Sequence, residues 1–563
     1  MQRNELVPRW AGAVAGLVSG GVALGMALLV AGFVRPEAFP VLAVADATVD
    51  LSPQPVVDFA KETLGFYDKP VLVGGVLVVL AGVAAAIGVL STRRLAYGFA
   101  GLGVFGVVGV LAVVTRPDST GVLDALPTLA GVAAGAWMLS WLVRRAAGEP
   151  GTQTSAATAH GTHAADATAP GAQAAAGTAP GAQAAAGSAP GAQAADATPH
   201  GTTAAGRDAF DRRRLLTGVA GGVAVAGASA LLGWQIGDRR TVSAARVRLA
   251  LPKPATPAKP IPVAADFRIS GLSPFITKNQ DFYRIDTALI VPQVDPNQWT
   301  LRIHGMVDRP IELTYADLLK MPLTEADVTL TCVSNEVGGD LVGNARWLGV
   351  RMAQVLRQAG LQANADMLLS TSADGFTCGT PVDVVMDGRD ALFAVAMNGE
   401  ALPVDHGFPV RQVVPGLYGY VSATKWVVDI KVTRFDRDEA YWTPRGWSAK
   451  GPIKTQSRID VPKPQDSLKS GRTTIAGVAW AQHTGIDAVE VRVDNGEWRQ
   501  ARLAEVPGPD TWRQWSLDWD ATPGRHTIQV RATDAAGHTQ TEQPAPPAPD
   551  GATGWHTLTV QVT

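Results

Sequence analysis

Cysteine is nearly absent from this chain: Cys332 and Cys378 are the only two among 563 residues. A disulfide framework is therefore excluded, although two thiols still allow a single bridge. Metal fingers are excluded as well, because they need four ligands at close spacing. Histidine is scarce too. All nine lie at or beyond His160, so the apolar stretch before residue 145 holds no axial ligands for a bis-histidine haem, and no haem is expected in this chain. Positive charge is not in excess either. The net charge is −2, which argues against nucleic acid as a partner. A single hydrophobic core is also excluded, because the length calls for several domains.

What is present sorts along the chain. Apolar runs at about 10–34, 71–91, 95–115 and 121–143 are each long enough to cross a bilayer, which takes about 20 residues. Arg3 and Arg9, Arg93 and Arg94, and Arg144 and Arg145 fall at one set of ends, while the 35–70 loop is richer in Asp and Glu than in Lys and Arg. The positive-inside rule then places both ends of a four-helix unit, residues 1–145, in the cytoplasm. Residues 146–210 are mostly Ala, Gly, Thr, Pro and Gln, with the unit APGAQAAAGT starting at Ala169 and recurring in closely similar form at Ala179 and Ala189. Such a segment buries too little apolar surface to offset its chain entropy and is expected to be a disordered linker. Over 211–237 the run DRRRLLTGVAGG carries Arg212, Arg213, Leu215 and Leu216 ahead of a weakly apolar stretch. It has the form of a twin-arginine export signal, or of an ordinary fifth transmembrane helix. Either places residues beyond about 240 outside the cytoplasm, on a chain held in the cell membrane.

Residues 238–265, rich in Pro and Ala, read as a tether. From 266 to 464 short alternating strands and helical stretches mix with Gly and Pro turns, the pattern of an α+β domain. After 465 the helices disappear. TTIAGVAW, AVEVRVDNG, HTIQVRATD and WHTLTVQV are strand candidates at the spacing of an immunoglobulin-like sandwich. AVEVRVDNGEW also has the alternation and Asn-Gly turn of a hairpin.

Cys332 ends the run DVTLTC. Val328, Leu330 and Cys332 share one strand face, which puts the thiol at the strand's C-terminal end. A lone Cys is by itself a small buried hydrophobe. Its surroundings carry more. TLTCVSNEVGGDLVGNARWLGVRMAQVLRQAG presents a strand, a Cys, an Asn three residues on, and a loop to an ARWLGV helix start. Further on stands MNGEALPVDHGFPVRQVVPGLYGYVSATKW. These segments resemble the sulfite oxidase family of molybdenum–pterin enzymes, and the resemblance covers roughly 267–563. It implies one molybdenum held by one pterin dithiolene, with Cys332 as the protein's metal ligand. A thiolate suits a soft metal site that must leave positions open for oxygen transfer. The resemblance also implies cofactor contacts from Arg284, Asn335, His406, Arg411, Thr424 and Lys425, since a pterin phosphate calls for cationic donors. It makes the C-terminal sandwich a dimerisation-type domain, so a homodimer is expected.

The chain departs from the pattern of the sulfite-oxidising members. Where they follow the Cys motif with Arg, Glu336 stands here. Where they place a Tyr near the metal, the step from Trp442 reaches Trp447. The segment F-x-R-N-H has Ile285 and Asp286 in place of its Asn and His. Loss of positive charge disfavours a dianion, so sulfite is a doubtful substrate, and Trp447 and Glu336 are the candidate pocket residues beside Cys332. The expected function is two-electron oxygen-atom transfer on a small substrate, with electrons exchanged through an unknown cytochrome or quinone-linked partner. The alternatives are a sulfoxide or N-oxide type reductase fed by a membrane partner and, in another class, a non-catalytic surface binding protein.

Overall fold

The computed structural model describes residues 7–147 and 212–563, apart from 54–55, 57–58, 60–62, 64–67, 117–118, 120, 240–241 and 465. The expected linker over 146–210 lies almost wholly outside the described residues. The apolar runs form α1 (Arg9–Val34), α3 (Asp68–Ser91), α4 (Leu95–Val114) and α5 (Leu126–Ala146), joined by α6 (Arg212–Arg239). Five helices are thus long and apolar enough to span a membrane. The 35–70 segment is not a plain loop. It holds α2 (Pro40–Leu51), where proline opens the helix and Val41, Ala43 and Ala45 are buried.

Small residues set how these helices meet. α1 packs against α3, α5 and α6. A Cβ placed on Gly16 would stand 2.0 Å from the Ala84 carbonyl oxygen, and one on Gly88 would stand 2.1 Å from that of Gly12. Backbone therefore lies on backbone, the close packing that small residues allow between apolar helices. Ion pairs join the helix ends at one end of the bundle: Arg35 to Asp124 at 3.0 Å and Arg116 to Asp46 at 3.0 Å.

Residues 242–265 are not a free strap. The short helix Ser243–Arg248 points Arg246 at the carbonyls of Ala401 and Leu402, and Ala255 and Thr256 donate to the Leu323 carbonyl. The following domain has two sheets. One runs β2 (Ile311–Thr314), β1 (Thr300–Gly305), β10 (Val427–Thr433), β5 (Met367–Ser372), β6 (Thr377–Pro381), with β1 and β10 parallel. The other runs β3 (Leu323–Thr331), β4 (Val342–Arg351), β7 (Leu392–Met397), β8 (Glu400–Ala401), with β9 (Arg411–Val413) against β7. The segment ARWLGV, expected to open a helix, is β4. Its Ala345, Trp347, Leu348 and Val350 are buried, and the helix begins one step later at Met352. The strand is buried on both faces, so the apolar run shows no alternation.

Beyond 455 the chain is β-rich. A four-stranded and a five-stranded sheet enclose one apolar cluster that includes Ile475, Val489, Trp515, Ile528 and Val560. Its tip reaches back into the preceding domain. Trp512 donates twice there, its backbone N–H to Thr329 Oγ1 at 2.7 Å and its indole to the Phe275 carbonyl at 2.8 Å. The Gln482 amide donates to the Thr329 carbonyl and Thr331 Oγ1, both at 3.0 Å.

The glycine contacts give a test. Gly88→Val should cost roughly 1–3 kcal/mol through overpacking against backbone, read as a lower melting temperature in detergent. Gly74→Val, which meets nothing within 4 Å, should melt like the parent protein. Equal melting of the two would show that α1 and α3 do not pack through this stripe.

Candidate cofactor site

β3 ends at Thr331, and Cys332 follows at its exit, 9 % exposed. Three bonds close the loop behind the thiol. The Cys332 N–H donates to the Leu341 carbonyl at 2.9 Å, the Asn335 N–H to the Cys332 carbonyl at 3.1 Å, and the Leu341 N–H to Asn335 Oδ1 at 2.8 Å. Asn335 is thus a buried clasp of the cysteine loop. Burial pushes the Cys332 thiol upward, while bonds from Ser334 and the charge of Lys425 pull it down.

A cavity of about 120 Å³ opens over the thiol, lined by Tyr283, Arg411, Tyr420, Lys425, Trp442 and others. Its cations are buried. Arg411 donates only to main-chain oxygens, Gln412 at 3.3 Å and His406 at 3.1 Å, and its guanidinium lies 5.0 Å from the Trp347 ring centre. Burial lowers it to about 10. Lys425 is lowered to about 8, again by burial, against the pull of Asp286. Gly407 lets these groups converge: at φ +108° it passes so close that a Cβ would meet the Lys425 backbone at 3.1 Å.

Asp286 is the counter-charge. Its carboxylate receives Lys425 at 3.1 Å, Arg284 at 3.0 Å and Lys69 of α3 at 3.0 Å. Burial alone would raise its pKa, but Lys425, Lys69 and Arg284 together outweigh it and hold the carboxyl well below the usual carboxylate range. Asp374, in the β5–β6 turn, goes the other way. Burial and then the nearby Asp286 raise it, against bonds from Ser372 and the Phe376 N–H.

The sequence-predicted residues therefore fall into groups. Cys332, Arg411 and Lys425 line one cavity. His406 lies beside it, its ring packed edge-on against Phe282 with centres 5.6 Å apart. Its Nε2 lies 3.1 Å from the Asn279 carbonyl, and its Nδ1 is buried with no hydrogen-bond partner. Burial, then Arg411, lowers it to about 4, so the ring is neutral: Nε2–H donates and Nδ1 offers a lone pair. Thr424 sits underneath, with Oγ1 2.8 Å from Ser370 Oγ, and Arg284 reaches the cavity only through Asp286. Two expectations fail. Glu336 is exposed and is not among the lining residues, because the Asn335 clasp turns the chain outward there. Trp447 stands one ring back, 6.2 Å from Trp442 and 6.0 Å from Tyr420, and those two rings reach the cavity instead. Sequence reasoning missed Tyr283, Tyr420, Asp374 and Trp442. The GLYGY segment after the arginine and the turn-forming SADGF hold two of them, Tyr420 and Asp374, but neither marks a direction in space.

The donor set fits a phosphorylated pterin carrying a soft metal. A buried guanidinium with no carboxylate partner among the described residues and a buried lysine shared with Asp286 leave positive charge for an anion, and a thiol faces the same space. The fold and this pocket define a molybdopterin-binding oxidoreductase domain. Residues 288–442 match the oxidoreductase molybdopterin binding domain family. Mitochondrial sulfite oxidase of Homo sapiens is 30 % identical over 321 residues, covering 48 % of this chain and 58 % of that protein. The chain thus spans little more than half the length of that relative. The uncharacterized oxidoreductase YuiH of Bacillus subtilis (strain 168) is 32 % identical over 157 residues, 28 % of this chain and 76 % of that one. Among solved structures, the sulfane dehydrogenase SoxCD of Paracoccus pantotrophus is 26 % identical, covers 47 % of this chain and 76 % of that chain, and has a TM-score of 0.42. The chain belongs to the sulfite oxidase family of molybdopterin oxidoreductases.

Lys425 gives the site a pH test. Burial lowers it to about 8 even with Asp286 beside it, and a phosphate bound there would raise it. Below pH 8 the lysine is already charged, so affinity is flat. Above pH 8 binding must take up a proton, and affinity should fall about tenfold per pH unit until the bound-state pKa is passed. Titration of the apo-protein with purified molybdopterin, followed by tryptophan fluorescence, measures this. Lys425→Met should bind more weakly and lose the slope; an unchanged slope in that variant would place the titrating group elsewhere.

Proposed function

We propose that this protein is a membrane-anchored oxidoreductase that uses a single-pterin molybdenum cofactor to move an oxygen atom, with two electrons, to or from a small neutral substrate outside the cytoplasm. The observation that carries this is one cavity holding a buried thiol at a strand end together with buried Arg411 and Lys425. When bound, the cofactor supplies the two-electron oxygen-transfer chemistry. Cys332 would hold the metal. Arg411 and Lys425 would hold the phosphate, and His406 Nδ1 is a ready acceptor for an N–H of the group beside it.

The substrate reading rests on the cavity wall. Tyr283, Phe376, Tyr420 and Trp442 make it largely aromatic, and Lys425, its most exposed cation, is shared with Asp286. With Arg411 and Lys425 taken up by the cofactor phosphate in this reading, a dianion such as sulfite would find little positive charge left there. A thioether, a sulfoxide or an organic N-oxide suits the aromatic wall better. The sulfoxide or N-oxide reductase reading is the same chemistry run in the other direction, and assays with reduced and oxidised dyes distinguish the two. Dimerisation through an immunoglobulin-like C-terminal domain belongs to this proposal as well.

Topology is supported by how the charges fall. The ends joined by the Arg35–Asp124 and Arg116–Asp46 pairs are the ends that meet the catalytic domain, through Lys69. Arg93, Arg94, Arg144, Arg145 and Arg212–Arg214 lie at the other ends, the side the positive-inside rule gives to the cytoplasm. Export through a twin-arginine signal at Arg212 and Arg213 would deliver the domain already folded around its cofactor.

Cys332→Ser should fold with a melting temperature close to the parent's but lose all turnover, because an alkoxide is a poor match for the metal. Cys378→Ser should keep its molybdenum; full turnover in Cys332→Ser would sink the metal assignment. Reporter fusions at residues 180 and 300 should read cytoplasmic and extracytoplasmic respectively. Exchanging Arg212 and Arg213 together for Lys should block export, and unaffected export would identify α6 as an ordinary signal anchor.

A further inference from the structure

A second cavity, of about 320 Å³, lies between the membrane helices and the catalytic domain. On one side it is walled by Arg35 at the end of α1, by Asp46 and Ala47 of α2, and by Ala112 and Arg116 at the end of α4. On the other side stand the 287–294 segment, Asp374, Phe376 and Tyr441. Thr287, Asp374 and Phe376 also line the cavity over Cys332, so the two spaces share a wall one residue thick. We propose that this junction cavity binds a membrane quinone, which exchanges electrons directly with the cofactor site.

Three features point to that ligand class. The cavity sits where the apolar helices end, so a lipid-dissolved molecule enters it without crossing water. Its walls are mixed. Phe376 and Tyr441, ring centres 5.7 Å apart, offer aromatic faces to a planar head group. The Arg116–Asp46 pair, with Arg116 only 15 % exposed, offers polar contacts to ring oxygens. Finally there is room for an isoprenoid tail. An apolar cavity inside the helix bundle is lined by Val44 of α2 and Gly109 of α4, about one turn from Ala47 and Ala112.

The balance closes with this partner. Substrate, water and quinone give oxidised substrate and quinol: the substrate gains the water oxygen and loses two electrons, and the two water protons with those two electrons reduce the quinone. The reverse direction consumes quinol. Asp374 stands in the shared wall, and burial favours its protonated form, which suits a group passing protons to the ring oxygens.

The inference rests on the molybdenum oxidoreductase reading, so the test separates the two. Full-length protein carrying its cofactor is placed in phosphatidylethanolamine–phosphatidylglycerol nanodiscs and irradiated with an azido-ubiquinone. Molybdenum and pterin are assayed on the same sample. Label should map to peptides containing Phe376, Tyr441 or α2, and unlabelled ubiquinone should displace it. Ala47→Trp, which fills the cavity, should cut labelling roughly tenfold, equivalent to about 1.4 kcal/mol of binding, with molybdenum content unchanged. Ala112→Trp fills the same space from α4 and serves if the first variant fails to fold. Label that ubiquinone does not displace, or that survives in both variants, overturns the quinone site. Displaceable label on protein that holds no molybdenum overturns the oxidoreductase reading and the electron-transfer role with it.

Discussion

A carboxylate buried to 6 % of its side-chain surface, as in Asp286, is costly unless cations surround it. Here three do, and each comes from a different part of the chain. Arg284 is a near neighbour, Lys425 comes from the turn just before β10, the central strand of its sheet, and Lys69 comes from the first turn of the apolar helix α3. Lys69 also donates to the main-chain oxygens of Asp286 and Ala288, at 3.1 and 2.6 Å. The one carboxylate therefore offsets part of the burial cost of Lys425 and, through Lys69, ties the catalytic domain and its 286–288 backbone to α3. Removing any single partner would leave charge buried without compensation, a larger penalty than the attraction of the intact group suggests.

That arrangement also explains which parts were legible in the sequence. The long apolar helices show because apolar runs of fixed length are a local property, and Cys332 shows because its strand and flanking motif are contiguous. The Lys69–Asp286 contact joins residues 217 positions apart, and no local pattern records such a pairing. Asp286 reads in sequence as a lost histidine; in space it is a new counter-ion with its own partner. α2 escaped because its twelve residues are too few to span a bilayer. The run ARWLGV read as a helix start because a strand buried on both faces lacks alternation. Glu336 and Trp447 were placed by counting along a motif. The Asn335 clasp and the short helical turn at Thr443–Arg445 redirect the chain, so counting fails at both. The docked 242–265 segment shows the limit of composition: proline and alanine specify extension, not whether an extended chain finds an edge to lie on.

The rim of the cavity over Cys332 is aromatic, and its rings brace one another. Tyr420 is held by a 2.6 Å bond to the Ser448 carbonyl and leans on Trp447, which in turn leans on Trp442. Trp447 supports the pocket from behind, so substitutions there act through the rings in front of it.

The bonds from Gln482 and Trp512 to Thr329 and Thr331 have a consequence for shortened chains. The strand that presents Cys332 pairs along its length with β4, yet Thr329 and Thr331 also take bonds from residues more than 150 positions later. A chain that ends before Gln482 would carry the cysteine motif, His406, Arg411 and Lys425 but lack these bonds to the cysteine strand. The β-rich C-terminal domain thus braces that strand from outside, so a truncation far from the cavity still reaches it.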